Sequence, residues 1–587
     1  MQSWRELKTW QPRPDSEGVR QMSLGYKEAV EEVTRPGQLL EIAPMEIGGI
    51  EIKVWKNFPA TIPALFEASR RFGDRQFLVY ADQHLTYEQH FQRVAILAHR
   101  LVDNFGIRKG DRVAIAMRNY PEWSIAFWAI TSIGAIVVPL NAWWTSDELS
   151  YGLTDSGSVM LFADSERLER VRAIDERLPL RHIVAVRCDS IPEGVEQFDA
   201  LVDGVDESLN LPVADVDPED LATLFYTSGT TGFPKGTMGT HRNFTSAGVY
   251  FPYAGAVTIL RMGGKLEDMA AMAEEQQTAL LTTPLFHVTA CHGTLLNMLV
   301  AGGKIVLMYK WDADEAVRLM EDEQVTIFGG VPTMVWQVLE AQNEQRRDLS
   351  RVINIGYGGA AAPPELFRQL NRAFPTAGPS TGWGITETSS TITTLAGEDY
   401  TRKPDSVGRP LPVYDIKVVD SNGRELPAGE VGEFWVRGPQ VVKGYWDKPE
   451  ATAESFTEGW FHTGDIGRID EEGFVYILDR IKDMIIRGGE NIYCSEVEGV
   501  LLEHAAVKAV CVFGTPHDVL GEEVAAVIQL DNPGSVSGQE LMEYAARKLA
   551  KFKVPIRIWF RTEPLPVGAT GKVQKREIRD FYLDQLA

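Results

Sequence analysis

The chain has 587 residues, of which 44% are hydrophobic and 24% charged, and these proportions are typical of a globular protein with several domains. The formal net charge of -24 argues against a nucleic-acid-binding protein, which would need a basic face. The four cysteines form no C-x-x-C pair, so they indicate neither zinc nor a disulfide framework and favour a reducing compartment.

We expect no targeting signal at either end of this sequence. The first residues lack the apolar core of a signal peptide, and the last four are not of the peroxisomal S-K-L type. No run of about 18 apolar residues is present, so we expect no transmembrane segment. We expect a cytoplasmic protein, for which a peripheral membrane contact and a homodimer both stay open. Residues 1–50 are interpreted as an N-terminal extension that either wraps the main domain or forms an oligomer contact.

A first alternating unit of strands and helices follows. Residues 113–117, 136–140 and 159–162 are apolar runs that we predict to be buried strands. Pro121 suits the first turn of a helix between the first two strands, and Gly134 suits its end. Strands that alternate with helices predict a parallel sheet covered on both faces.

A second alternating unit occupies the middle of the chain. Residues 304–308 and 325–328 are predicted to be strands, and the spacing of Asp312 and Glu315 predicts a helix that starts with a capping box. The segment 261–278 is polar and rich in methionine, and we interpret it as an excursion or a lid.

The pattern of the sequence changes in the last third of the chain. Short β-prone runs separated by Gly, Pro and Asp turns fill residues 402–478 and predict a small β-barrel-like subdomain. A mixed α/β tail follows, with strands predicted at 507–513 and 524–528. Two capping-box-like pairs predict helix starts in this tail, namely Ser495 with Glu498 and Ser537 with Glu540.

One segment, residues 226–236, combines three glycines, four hydroxyl side chains and a lysine, after an apolar run that predicts a strand. Glycines let the backbone approach a ligand closely, and N–H groups, hydroxyls and Lys235 can bind phosphate oxygens. It is not the common P-loop, because Pro234 precedes the lysine and Gly236 follows it. The residues predicted to bind phosphate are Thr227, Ser228, Gly229, Thr230, Thr231, Gly232 and Lys235.

This segment resembles the phosphate-binding signature of the adenylate-forming superfamily, which comprises acyl-CoA synthetases, luciferases and stand-alone adenylation domains. Further motifs match in order over roughly residues 55–580, and they are most similar to a free-standing fatty-acid-type acyl-CoA synthetase. The resemblance implies an α/β fold with a large AMP-binding domain of doubly wound sheets at 51–480, which includes the β-barrel-like subdomain. A small mobile C-terminal α/β domain would follow at 481–587.

The resemblance also implies a nucleotide site. Trp383 replaces the commoner tyrosine and would stack on adenine, and Thr386 would bond the α-phosphate. Glu387, with Thr230, would hold Mg²⁺, and Asp465 would accept hydrogen bonds from both ribose hydroxyls. The other positions matched to ATP or AMP binding are Gly359, Ala360, Ala361, Gly384, Ile477 and Arg480.

A pocket for the acyl group is implied beside that site. The matched positions are His287, Val288, Cys291, Val331, Gly358 and Gly359. Small and apolar side chains of this kind are compatible with fatty, aryl or polycyclic acids. The alternative that His287 is an ordinary core histidine stays open, and no proton-transfer role is assigned to it.

Three motifs of the C-terminal region complete the resemblance. Lys482 matches the family hinge, and Gly488, Gly489 and Glu490 match a loop that binds coenzyme A along the pantetheine path. Lys572 matches the lysine that enters the site for adenylation only.

The sequence therefore predicts an ATP-dependent carboxylic acid–CoA ligase in which Lys572, Lys235, Thr386 and Glu387 are catalytic. Two alternatives are adenylation with another acceptor, as in carrier-protein loading or a luciferase, and a catalytically silent binding relative. A silent relative would be expected to have lost a motif residue, and none of these four is lost.

Overall fold

The computed structural model describes residues 23–204, 208–227, 233–269, 274–358, 364–530, 532–569 and 571–585. Every structural statement below concerns these residues. Among them, no helix has the length and apolar character needed to cross a membrane.

The strands and helices are named in chain order. The strands are β1 Ile42–Ile47, β2 Ile50–Trp55, β3 Gln76–Tyr80, β4 Gln83–Thr86, β5 Arg112–Ala116, β6 Ile136–Pro139, β7 Met160–Asp164, β8 His182–Val186, β9 Glu196–Gln197, β10 Leu221–Tyr226, β11 Gly236–Thr240, β12 Thr278–Leu281, β13 Lys304–Leu307, β14 Ile327–Gly330, β15 Asn354–Gly358, β16 Gly378–Ile385, β17 Ser390–Ala396, β18 Arg409–Pro410, β19 Asp415–Val419, β20 Gly432–Arg437, β21 Phe456–Thr457, β22 Trp460–Ile469, β23 Val475–Arg480, β24 Ile485–Arg487, β25 Glu490–Ile492, β26 Val507–His517, β27 Gly521–Leu530 and β28 Arg557–Arg561. The α-helices are α1 Tyr26–Thr34, α2 Ile62–Ala68, α3 Tyr87–Asp103, α4 Pro121–Ser132, α5 Ser146–Ser156, α6 Ser165–Arg172, α7 Phe198–Val202, α8 His241–Ala247, α9 Tyr250–Arg261, α10 Asn297–Ala301, α11 Ala313–Asp322, α12 Pro332–Gln345, α13 Pro364–Ala373, α14 Gly397–Arg402, α15 Pro449–Ser455, α16 Cys494–Leu502, α17 Gly538–Ala546 and α18 Lys575–Asp584.

Two large sheets form the body of the protein. One has the strand order β11-β10-β6-β5-β7-β8-β9, and the other has the order β18-β17-β16-β15-β14-β12-β13-β3-β4. Their inner strands run parallel, and the antiparallel partners lie at the edges. This arrangement confirms the predicted doubly wound sheets, because parallel strands joined by helices are covered on both faces.

Helix α4 lies in the core and touches strands of both large sheets. All of its residues are buried, including Trp123 and Trp128. The rings of Phe66 and Phe244 pack against it from neighbouring helices. Because it is enclosed on every side, the helix is apolar along its length and has no polar stripe.

Most predicted elements of these sheets are confirmed. The runs at 113–117, 136–140 and 159–162 correspond to β5, β6 and β7, and Asp312 caps α11 by accepting from the N–H of Glu315 at 3.0 Å. The strand predicted at 325–328 begins later, as β14. The reason is that the N–H of Val325 donates to the carbonyl of Met320 and so still belongs to the end of the preceding helix.

Strands β19 to β23 form a separate antiparallel sheet with the order β19-β20-β22-β21, in which β23 also pairs with β22. This confirms the β-rich texture predicted for 402–478. The pairing of β22 with β23 places Asp465 opposite Arg480. The Asp465 residue of β22 is thereby placed beside β23, the last strand before the C-terminal region.

The C-terminal region has its own sheet, β25-β24-β27-β26, with β28 on β27. The capping box of Ser537 and Glu540 is confirmed at the start of α17. The capping box predicted for Ser495 and Glu498 is wrong. Ser495 lies inside α16 and donates its hydroxyl to the carbonyl of Leu478, and Glu498 accepts from the N–H of Val512 at 2.8 Å.

The described part of the N-terminal extension wraps the large domain. In α1, the hydroxyl of Tyr26 lies 3.2 Å from that of Tyr253, and Lys53 of β2 pairs with Asp415 at 2.7 Å. A boundary at residue 50 would divide the β1–β2 hairpin.

The segment 261–278, interpreted above as an excursion or lid, is anchored at its described beginning. The side chains of Leu266 and Met269 pack against the core cluster that includes Tyr253. Residues 270–273 lie outside the described residues.

A first prediction concerns the register between β16 and β17. A Cβ added at Gly384 would lie only 1.7 Å from the backbone oxygen of Ser390. Gly384→Ala should therefore push the strands apart and lower the free energy of unfolding by about 3 kcal/mol. The measurement is the midpoint of urea unfolding.

Gly499→Ala is the matched control. Gly499 lies inside α16, and a Cβ there would meet nothing within 4 Å. This variant should gain roughly 0.5–1 kcal/mol, since alanine restricts the unfolded chain. Equal midpoints for Gly384→Ala and the parent protein would contradict the close approach of the two strands.

Candidate active site

A cluster of three side chains forms one end of the cleft. The carbonyl of Lys235 accepts from the N–H of Thr227 at 2.9 Å and closes the base of the glycine-rich loop. The Lys235 ammonium lies 4.8 Å from the ring centre of Tyr445, and the Tyr445 hydroxyl donates to Glu387 Oε1 at 2.8 Å. The ammonium of Lys235, the ring of Tyr445 and the carboxylate of Glu387 thus form a continuous row of contacts. Residues 228–232, which include the predicted Ser228, Gly229, Thr230, Thr231 and Gly232, lie outside the described residues.

The backbone around Glu387 is set by the end of β16. Thr386 and Glu387 are half-buried in a single 3-10 turn, Thr386–Thr388, that follows the strand. The carbonyl of Glu387 accepts from the N–H of Val442 at 3.0 Å. Burial raises the pKa of the Glu387 carboxyl, and the Tyr445 hydroxyl bond opposes that shift.

Asp465 lies at the other end of the cleft and is 3% exposed. Its Oδ2 accepts from the indole N–H of Trp383 at 2.8 Å, and its Oδ1 pairs with Nε of Arg480 at 2.8 Å. The N–H of Asp465 itself bonds the hydroxyl of Thr463 at 3.1 Å. A carboxylate has further acceptor capacity after two such bonds, so Asp465 can still accept from a ligand.

The stacking on adenine predicted for Trp383 stays a prediction. The ring is 8% exposed and packs against Phe434 with ring centres 5.3 Å apart. Ile477, also matched to the nucleotide, packs half-buried against the same cluster, while Gly384 is exposed at the strand end.

A cavity of about 420 Å³ opens beside Glu387 and Arg480. Its polar lining includes Glu387, Tyr445, His462, Gly464 and Arg480. Of the residues predicted for the nucleotide site, Glu387 and Arg480 therefore border one open cavity, although they are far apart in the chain.

Lys572 reaches this region from the C-terminal domain. Desolvation and the charge of Arg480 lower the pKa of its ammonium, and the charge of Asp465 opposes the shift, although the residue as a whole is exposed. Gly571 lies against the large domain, since a Cβ there would come within 2.8 Å of Val331 Cγ2. The segment that carries Lys572 thus contacts the large domain, and the catalytic role of Lys572 stays a prediction.

His287 connects Lys572 to the predicted acyl pocket. It is half-buried, and its Nδ1 lies 3.3 Å from the hydroxyl of Thr289. Burial and the neighbouring charge of Lys572 lower the pKa of His287 to about 4, so the imidazole is neutral near pH 7. Its place in the acyl pocket stays a prediction.

The wall behind His287 is a π-helix, Thr289–Leu296, in which each hydrogen bond spans five residues. Cys291 lies in it at 0% exposure, and Val288 precedes it at 4%. Val331, at 5%, forms the opposite contact with Gly571. Gly358 ends β15 beside the backbone of Gly382, and the predicted Gly359, Ala360 and Ala361 lie outside the described residues.

The residues predicted to bind coenzyme A are not brought to this cleft by the contacts of the described chain. Gly488 and Gly489 form the tip of the β24–β25 hairpin, both with positive φ. The N–H of Gly488 donates to the carbonyl of Leu520, within the C-terminal sheet, at 2.7 Å. Gly489 and Glu490 are exposed, and so is Lys482, at the start of this region.

Two residues of the site were missed from the sequence. Tyr445 bridges Lys235 and Glu387, and Glu433 accepts from the N–H of Gly464 at 2.9 Å and so fixes the turn before Asp465. Tyr445 lies in a Gly-Tyr-Trp segment that matches no motif used above, and no sequence spacing links it to Glu387, 58 positions away.

The oxygen ligands at the phosphate end of the cleft suit a hard divalent cation. Glu387 supplies one buried carboxylate, and Mg²⁺ is usually held by one or two carboxylates together with phosphate oxygens and water. Among the described residues there is no group of three or more His, Cys, Asp or Glu side chains that could hold a metal without such a ligand. Thr230, the other predicted metal residue, lies outside them.

Comparison with protein-family models matches two regions. Residues 65–446 match the model described as AMP-binding enzyme, and residues 496–572 match the AMP-binding enzyme C-terminal domain. The first match alone covers more than half of the chain.

Relatives and solved structures extend the similarity to most of the chain. A feruloyl-CoA synthase from Amycolatopsis sp is 36% identical over 496 residues, which are 84% of this chain and 93% of the relative. A long-chain-fatty-acid–CoA ligase from Bacillus subtilis is 34% identical over 540 residues, 88% of this chain and 93% of the relative. An o-succinylbenzoate CoA synthetase structure from Bacillus subtilis, in complex with its acyl-adenylate intermediate, has a TM-score of 0.72 at 31% identity and covers 88% of this chain and 98% of its own.

The geometry of Glu387 generates a second prediction. Tyr445→Phe removes the hydroxyl that lowers the pKa of Glu387 but keeps the ring beneath Lys235. The pKa of Glu387 should therefore rise further, and its protonated form should persist to higher pH. The measurement is the carboxyl infrared absorption across a pH series, with Glu387→Gln as the baseline that identifies the band.

Tyr476→Phe is the matched control, because it removes a similar hydroxyl bond, to Asp470 at 3.1 Å, outside the cleft. It should leave the Glu387 band unmoved. If Tyr445→Phe shifts the band no more than this control does, Tyr445 does not act on Glu387.

Proposed function

This chain belongs to the AMP-binding enzyme family, and from that premise we propose that it activates a compact apolar acid, such as an aryl acid, at a site closed by Lys572. The protein is an acid–thiol ligase, an AMP-forming acyl-CoA synthetase that uses ATP and coenzyme A on hydrophobic carboxylic acids. The observation that carries the site assignment is the contact of Gly571, the residue before Lys572, with Val331 of the large domain.

In the first step a carboxylate oxygen attacks the α-phosphorus of ATP, and the bond to the pyrophosphate oxygen breaks. The products are the acyl-adenylate and pyrophosphate. Such a step is accelerated mainly by positioning and by charge at the phosphorus. We assign Lys235 to the leaving phosphates, Thr386 to the α-phosphate and Lys572 to the place where the carboxylate meets the phosphorus. Asp465 would hold the ribose.

Mg²⁺ is part of the proposal. Glu387, oriented by Tyr445, would hold it together with phosphate oxygens and Thr230. When bound, it supplies positive charge that neutralises the phosphate oxygens. The burial of Glu387 strengthens such an interaction, because a cation nearby restores the charged form that burial disfavours.

The size of the acid is argued from the pocket walls. The walls of an empty pocket remain accessible to water, but Val288, Cys291 and Val331 are only 4%, 0% and 5% exposed. Little free space therefore borders these side chains, and Gly571 closes against Val331. This favours a flat, compact acid over a long alkyl chain, and it agrees with the aryl product named for the relative of 36% identity.

In the second step the thiolate of coenzyme A attacks the acyl carbonyl carbon, and AMP leaves. We propose that the C-terminal domain turns about Lys482 between the steps, withdrawing Lys572 and presenting the hairpin of Gly488, Gly489 and Glu490. The support is that Gly571, next to Lys572, lies against Val331 of the large domain, while the N–H of Gly488 at the hairpin tip bonds Leu520 within the C-terminal sheet. Such rotation is a known form of domain gating.

A cytoplasmic location stays a prediction, which the four free cysteines suit. A homodimer and a peripheral membrane contact also stay predictions. Loading of a carrier protein is the second candidate for the acceptor, since the adenylation residues would serve both reactions equally.

The third prediction concerns the substrates. With Mg²⁺, the purified protein should release pyrophosphate in the presence of cinnamic-type acids and form thioester only when coenzyme A is added. We expect kcat/KM for such acids to exceed that for a C16 fatty acid by about tenfold or more, as expected for a closed pocket. A faster reaction with the C16 acid would refute the compact pocket. No acid-dependent pyrophosphate over a broad panel would refute adenylation, and adenylation without thioester would favour a carrier protein.

The fourth prediction separates the two half-reactions. Lys572→Ala should lose acyl-adenylate formation by about 100- to 1,000-fold, because its charge acts at the phosphorus, yet still convert supplied acyl-adenylate and coenzyme A to thioester. Gly489→Leu should do the reverse, because a bulky side chain at the hairpin tip obstructs the pantetheine path. Single-turnover assays of each half-reaction measure both effects.

Two control variants match these changes. Gly489→Ala carries the same backbone strain at a φ of +89° without the bulk, so thioester formation should be largely kept. Lys551→Ala removes an exposed lysine of the same domain and should change neither step. Loss of both half-reactions to a similar extent in folded Lys572→Ala and Gly489→Leu would refute the rotating domain in favour of one fixed site.

A further inference from the structure

Each oxygen of Asp465 has one donor, and the two donors differ in character. Arg480 presents a side chain that is 45% exposed, only two residues before the proposed pivot at Lys482. Trp383 is 8% exposed, has no flexible stem, and is locked by its packing on Phe434 within the large domain. Of the two contacts, the one from Trp383 is therefore the more rigid.

The backbone of Trp383 is also fixed. It lies in β16, between β15 and β17, and its own N–H donates to the hydroxyl of Thr393 at 3.1 Å. Turning of the C-terminal domain would leave these contacts in place, because all of them belong to the large domain. The indole N–H thus offers Asp465 the same donor position in both half-reactions.

We infer that Trp383 is a positioning residue that fixes the orientation of the Asp465 carboxylate and thereby sets its recognition of the two ribose hydroxyls. This inference rests on the proposed function, in which Asp465 binds ribose. A carboxylate accepts about four hydrogen bonds, two on each oxygen. Trp383 and Arg480 take one on each oxygen, and the two that remain have a fixed spacing only while the carboxylate cannot rotate.

The experiment compares the binding of ATP, 2′-deoxy-ATP and 3′-deoxy-ATP by calorimetry. In the parent protein, loss of either hydroxyl should weaken binding about tenfold, the usual effect of one hydrogen bond to a charged group. Trp383→Phe should weaken the binding of ATP several-fold. The loss of affinity caused by removing one ribose hydroxyl, called the deoxy penalty below, should fall to about twofold, because a carboxylate that can rotate discriminates poorly between the nucleotides. If Trp383 only supported packing, all three nucleotides would weaken by the same factor and the penalty would stay near tenfold, which would overturn the inference.

A second variant guards against loss of the fold in Trp383→Phe. Benzothienylalanine incorporated at position 383 keeps the bicyclic ring and removes only the N–H. It should reproduce the reduced penalty in a protein with unchanged thermal unfolding. Trp311→Phe is the matched control, since it removes an indole bond to Gln337, 2.6 Å long, away from the cleft, and should keep the full penalty.

Asp465→Ala separates failure of this inference from failure of the proposed function. If the parent protein shows a deoxy penalty that Asp465→Ala abolishes, the ribose assignment holds, and the Trp383 variants decide the inference alone. If the parent protein shows no penalty, or Asp465→Ala retains it, the ribose role of Asp465 is wrong and the inference falls with it.

Discussion

Two carboxylates border the cleft, Asp465 buried and Glu387 half-buried, and each accepts a hydrogen bond from one aromatic side chain. Glu387 receives the hydroxyl of Tyr445, and Asp465 receives the indole of Trp383. A carboxylate removed from water is costly unless hydrogen bonds replace its solvation, so the site can exist only where such donors are supplied. Aromatic donors suit this task because their ring bodies are buried in the surrounding core, which fixes the polar tip. The orientation of both acids therefore depends on packing several residues away from any ligand.

How far the sequence predicted this site follows from where each contact originates. Lys235, Glu387, Asp465 and Lys572 could be proposed because each stands in a local motif that resembles a known family, and the membership of the chain in that family is confirmed. The sheets could be found because buried parallel strands are apolar throughout. The role of Tyr445 and the hydrogen bond from Trp383 to Asp465 could not be predicted, because hydrogen bonds between distant chain segments leave no local sequence pattern. The wrong capping box at Ser495 has the same origin, since the carbonyl of Leu478 competes for its hydroxyl.

The C-terminal domain meets the rest of the protein through two quite different contacts. At one end, the carboxylate of Asp479 accepts from the N–H of Cys494, and Ser495 bonds Leu478, so the first turn of α16 is tied to the end of β23. At the other end, Gly571, the residue before Lys572, rests on Val331. The first contact adjoins the proposed pivot, and the second lies far along the domain from it. A turn of the domain about Lys482, as proposed, would therefore keep the first contact and break the second.

The π-helix behind His287 has a consequence for how such a pocket can change. A π-turn contains about one residue more than an α-turn, so removal of a single residue can restore ordinary α-helical geometry without breaking the helix. Because the π-turn accommodates one extra residue, that deletion would keep the following helix in register and change the directions of the side chains within Thr289–Leu296. Cys291 and its neighbours would be replaced on the wall by residues now facing elsewhere. A change of chain length, with no change of residue type, is thus sufficient to redraw this part of the binding surface in evolution or in the laboratory.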